Sequence, residues 1–143
     1  MKLSYLESTK KQFEYYKLLA EQTFIQLNEQ QFFWQYNAQS NSIATIITHL
    51  SGNMISRWTN FLTTDGEKPN RNRDAEFEPN VSDRTSLLMH WNSGWTCFFD
   101  TINGLSDDDL EKEIFIRNMG HSVTEALNRQ LAHYVEFGSC WKQ

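Results

Sequence analysis

A chain of 143 residues with 39% hydrophobic and 14% aromatic residues has the size and apolar content of one domain around a single core, which excludes an intrinsically disordered chain. Two prolines and six glycines are too sparse a punctuation for a many-stranded sandwich or barrel, so long helices are expected. The formal net charge of -5, with 13 basic residues dispersed along the sequence, argues against nucleic acid as a partner; with neither a signal-like N-terminus nor an apolar run near ~18 residues, a membrane is not expected and the cytoplasm is.

Leu6, Phe13, Tyr16, Ala20, Phe24 and Leu27 recur at helical spacing and predict a first amphipathic helix over residues 4 to 28. The aromatic and amide-rich stretch NEQQFFWQYNAQSN that follows lacks a clean period and reads as a structural connection. Ser42 is a good N-cap for a second helix through Ile43, Ile46, Ile47, Leu50, Met54, Trp58 and Phe61, ending near Thr63 or Thr64. The segment DGEKPNRNRDAEFEPN, residues 65 to 80, is polar and holds both prolines; it is the longest loop and reads as solvated surface.

A third helix is predicted from Ser82, with Asp83 in its first turn, through Leu88, Trp91, Trp95, Phe98 and Ile102 to a stop at Gly104. Ser106 followed by Asp107, Asp108 and Asp109 marks a short helical turn, and the alternation of Glu113 to Arg117 marks at most one short strand. Ser122-x-x-Glu125 is a capping box that opens a fourth helix over 122 to 137, with Val123, Leu127, Gln130, Leu131 and Tyr134 on its inner face. The expected architecture is a single all-α domain over residues 1 to 143, a four-helix bundle with a long polar loop between its second and third helices.

His49 lies about a quarter-turn from the apolar stripe of the second helix, on a side shared with Ser42, Thr45, Asn53 and Ser56 that could border a cavity. His133 is placed similarly on the fourth helix. Each reads as either a satisfied polar residue at the edge of a core or a ligand, because no HExxH motif and no histidine pair at i,i+4 decides between them. His90 falls on a solvent face, and His121 either covers a helix end or sits at the mouth of a pocket. Cys97 and Cys140 lack CxxC spacing and are expected to be unpaired, with Cys97 a buried thiol. Neither a nucleophile motif nor a glycine-rich phosphate loop is present.

The stretches NSIATIITHLSGNMISRWTNFLTTDGEKPNRNRDAEFE (41 to 78) and HSVTEALNRQLAHY (121 to 134) resemble a bacterial branch of the DinB-like, or YfiT-like, metal-binding superfamily, over most of the chain. The resemblance implies a four-helix bundle, often a homodimer, holding a divalent metal, zinc or nickel, with one histidine from the second helix and two from the fourth. The first maps to His49 in THLSGN and the second to His133 in RQLAHY; the third, one turn later in the relatives' HYxxHxGQI, is Phe137 here. After Tyr134 the sequence VEFGSCWKQ departs from that pattern, as a divergent or truncated C-terminus would. Glu136, at i+3 from His133, is the nearby substitute ligand. With the usual three protein ligands incomplete, metal is expected to be weakly held or absent. The resemblance implies a thiol-dependent transferase or a hydrolase with an impaired metal site, acting on a small molecule or small thiol; the alternative is a metal-free binding or dimerisation module. A shortened fourth helix would uncover apolar faces, so a homodimer is expected.

Overall fold

The computed structural model describes residues 4–77 and 83–138. Those residues form α1 (Tyr5–Ile25), α2 (Glu29–Phe33), α3 (Ile43–Trp58), α4 (Arg73–Glu76), α5 (Arg84–Asn103), an antiparallel pair β1 (Glu113–Ile116) and β2 (Met119–Ser122), and α6 (Val123–Gly138). No described helix is long and apolar enough to cross a membrane.

Side-chain caps set most of the boundaries. Ser42 Oγ accepts from Thr45 N at 3.1 Å to start α3, and Asp83 Oδ1 accepts from Ser86 N at 2.8 Å to start α5; Ser82 lies outside the described residues. The Ser122–Glu125 capping box forms in both directions, at 3.0 and 3.2 Å, at the head of α6. A second box explains why α1 stops at Ile25 rather than 28: Asn28 and Gln31 cap each other at 2.9 and 2.8 Å. The expected connection after α1 therefore holds a short helix, whose Phe32 is fully buried against Phe24.

The four long helices share one aromatic core. Phe13 of α1 lies tilted against Phe98 of α5, 4.3 Å between centroids, and meets Tyr134 of α6 edge-on at 5.5 Å, while Trp58 of α3 meets Phe98 edge-on at 5.0 Å. Edge-to-face contacts of this kind add to the burial of each ring. Gly94 lets α5 approach α3 closely, since a Cβ there would sit 3.1 Å from both Met54 Sδ and Ser51 Cα.

The structure corrects one further boundary and adds a strand. α3 ends at Trp58, not near Thr63, because Thr59 turns extended and Asn60 takes a φ of 47°. The expected single strand is one arm of a hairpin, in which Ile114 pairs with His121 and Ile116 with Met119. Its two-residue turn, Arg117-Asn118, has φ of 52° and 65°, the positive values of a type I′ turn, but lacks the glycine that usually announces one.

Asp65, in the loop after α3, holds this turn. Its Oδ1 accepts from Arg117 N at 2.9 Å and its Oδ2 from Asn118 N at 2.9 Å, while Gly66 N donates to Phe115 O at 2.8 Å. The backbone hydrogen bonds from Asn118 and Glu67 keep the Asp65 carboxyl below its ordinary value. Asp65→Ala is expected to destabilise the fold by about 1–3 kcal/mol, the worth of two or three such bonds, as read by urea unfolding. A carboxyl depressed in the folded state stabilises fully above its unfolded pKa of ~3.9, and that stabilisation disappears as pH falls through the lower folded value. The gap between parent and variant should therefore close only in that acidic window.

Candidate functional site

The polar side of α3 is as buried as its apolar side: Ser42, Thr45, His49, Asn53, Ser56 and Arg57 are all buried. The segment 65–77, expected as solvated surface, folds back over this side and carries α4, whose first turn is capped by Asn72 accepting from Ala75 N at 3.1 Å. At the end of α4, Glu76 is only 7% exposed. Arg71 grips it with two bonds of 2.9 Å, Nε to Oε2 and Nη2 to Oε1. His49 Nδ1 lies 3.1 Å from the same Oε1.

Burial would raise the Glu76 carboxyl, but the hydrogen bonds from Arg71 and His49 outweigh it and hold Glu76 below its ordinary value. An ionised carboxylate only accepts, so His49 carries its proton on Nδ1. Gly52, one turn along α3, leaves the space this carboxylate fills, because a Cβ there would overlap Glu76 Oε2.

His133 of α6 faces His49 with ring centroids 5.5 Å apart at 76°. Burial, reinforced by His49 and the cations Arg57, Arg71 and Arg73, pushes its imidazole down to about 4. The next residue ties the core to this site: Trp58 Nε1 donates to Tyr134 OH at 3.4 Å, and Tyr134 OH donates to Asn53 Oδ1 at 3.3 Å. Burial raises the Tyr134 phenol well above its ordinary value, so it stays a neutral donor.

His49, Asn53 and His133 line a cavity of about 380 Å³. Arg57, Arg71, Arg73, Arg117 and Arg129 line it too, five of the six arginines in the sequence and none of its lysines. The basic residues dispersed along the chain are thus concentrated in space. Arg71 and Arg117 share Glu67, at 3.5 and 3.3 Å, and Arg129 Nη1 donates to His121 Nε2 at 2.9 Å.

Of the residues singled out from the sequence, His49 and His133 come together, and Glu136 lies on the exposed rim of the same cavity. Phe137 falls within the last turn of α6. Cys97 is unpaired and half-buried, with Thr59 Oγ1 3.5 Å from its Sγ; Cys140 lies outside the described residues. His90 is exposed. Among the described residues no group of three or more histidine, cysteine, aspartate or glutamate side chains is placed to hold a metal ion. A divalent cation would also meet the surrounding guanidinium groups, so these residues do not fit a tightly held metal.

Glu76, Arg71 and Arg57 were not singled out by the sequence reading. The one signal for them was Gly52 in THLSGN, a residue without a side chain on the polar side of a helix, which marks a place where another group approaches.

The chain belongs to the family described as "Protein of unknown function (DUF1572)", whose model matches residues 1–138. No match was found among curated proteins or solved structures.

Breaking the buried clamp at Glu76 leaves Arg71 and His49 without their acceptor, so Glu76→Ala should cost about 3 kcal/mol in chemical denaturation. Gly52→Ala should destabilise the parent by displacing Glu76. In the Glu76→Ala background the same change should be neutral or stabilising by up to ~1 kcal/mol, since alanine is the better helix former.

Proposed function

We propose that this member of the DUF1572 family is a four-helix bundle of the DinB-like kind whose cavity binds a small molecule beside the His49–His133 pair, with divalent metal held weakly or not at all. The observation that carries the reading is that pair: two imidazoles from α3 and α6, 5.5 Å apart, line one cavity. Both match ligand positions of the resemblance, and the carboxylate of Glu76 orients His49 as the outer partner of a metal-binding histidine would.

The environment favours the metal-free form of this reading. With two imidazoles, Glu136 at an exposed rim and guanidinium groups around them, a dication lacks both the ligand count and the field it needs. Transferase or hydrolase chemistry that depends on a tightly bound ion is therefore impaired, and the cavity acts first as a binding site.

Zinc or nickel titration by calorimetry should give weak or no binding to the unmodified chain. Phe137→His, which restores the i,i+4 pair of the resemblance, should gain about tenfold or more in affinity, and His49→Ala should abolish the gain. Stoichiometric tight binding by the unmodified chain would overturn the metal-free form.

A homodimer is part of the reading. Tyr15, Leu18 and Ile25 are 58%, 54% and 75% exposed and fall on one face of α1, an apolar stripe suited to a partner copy. Sedimentation should show a concentration-dependent dimer that Leu18→Lys weakens, and a monodisperse parent monomer at high micromolar concentration would count against it.

A further inference from the structure

We infer that the cavity is built for a compact dianionic ligand, a phosphomonoester or a dicarboxylate, anchored by Arg57 of α3. The inference rests on the reading of this cavity as a small-molecule site and names what it takes.

Arg57 is 5% exposed, a depth at which an arginine is ordinarily paired. Among the described residues no carboxylate lies within ion-pair distance of it; Nε makes a long bond of 3.4 Å to Gly66 O. That carbonyl does not need it, because Ser56 Oγ already donates to Gly66 O at 3.0 Å. A buried guanidinium facing a cavity with little protein to bind carries a desolvation cost that an oxyanion would offset.

The rest of the wall points the same way. Glu67 and Glu76 are engaged by Arg71 and Arg117, and Glu136 stands on the rim. The lining itself holds five arginines against one carboxylate, Glu136, in a protein whose net charge is -5. The planar fork of arginine matches phosphoryl and carboxylate oxygens in two-point contacts that lysine does not make. Gln130, 4% exposed and lining the same cavity, has an Oε1 with no hydrogen-bond partner among the described residues. Turned about its last bond, the amide offers N–H to an anion. A volume of about 380 Å³ admits a small metabolite and not an extended polyanion.

The test uses the full chain stripped with chelator. Melting temperature and calorimetry are followed with inorganic phosphate, a simple phosphomonoester or succinate, against chloride and acetate at matched ionic strength. The dianions should raise the melting temperature where chloride and acetate do not. Response to the phosphates alone identifies phosphoryl recognition, and response to succinate alone identifies a dicarboxylate. Arg57→Met should weaken dianion binding by about tenfold or more while melting no lower than the parent, since it removes an uncompensated buried charge. Arg129→Gln, at an exposed position, should weaken it several-fold, and Lys11→Gln should leave it unchanged. Equal shifts with chloride, or a dianion response that survives both arginine variants, would overturn the inference. Because the chain is freed of metal, and the chelator removed, before the anions are added, a failed metal titration leaves this read-out intact, so the two readings fail separately.

Discussion

The buried carboxylate of Glu76 is the contact on which the site depends. One negative charge, 7% exposed, fastens three parts of the chain: the loop through Arg71, the short α4 that carries it, and α3 through His49. In the interior such a charge is tolerated only when every oxygen is answered, and here both are. Gly52 completes the arrangement by leaving α3 bare where the carboxylate lies. Without this clamp the loop keeps its ties at Gly66 and Asp65, but Arg71 and α4 lose the bonds that hold them over the polar side of α3.

The clamp also fixes the chemistry of its neighbours. It sets the proton of His49 on Nδ1, which decides which nitrogen of the ring can act elsewhere. It occupies Arg71, so that this cation is structural first. Among the described residues no carboxylate has such a claim on Arg57, so of two arginines whose side chains are buried in one cavity, one is gripped by a carboxylate and the other faces the proposed ligand.

Much of the framework was legible in the sequence because it rests on local rules. Ser42, Gly104 and the Ser122–Glu125 box marked helix ends that the structure places within a residue or two, and the apolar stripes of α1, α3, α5 and α6 meet in one core. The hairpin was half legible: Ile114 and Ile116 alternate inward, but Met119 to Ser122 has no apolar alternation and Arg117-Asn118 no glycine. The site was legible only at its histidines. Glu76 and Arg71 sit in a stretch whose composition is that of solvated surface, and only a contact with His49, distant in sequence, reveals them as buried. The five arginines are spread from Arg57 to Arg129 and acquire a common purpose only in three dimensions.

The turn between the strands has one further consequence. A two-residue turn of this hand favours asparagine and glycine, for which left-handed backbone is cheap, whereas an arginine with φ of 52° bears a cost of roughly 1 kcal/mol. Arg117 nevertheless occupies the first position, with its guanidinium in the cavity wall and its amide held by Asp65. The hairpin thus exchanges conformational ease at Arg117 for a cationic side chain beside the cavity. An Asn-Gly turn would make a sturdier hairpin and a less electropositive cavity, so the turn's conformational preference and the charge of the cavity pull in opposite directions.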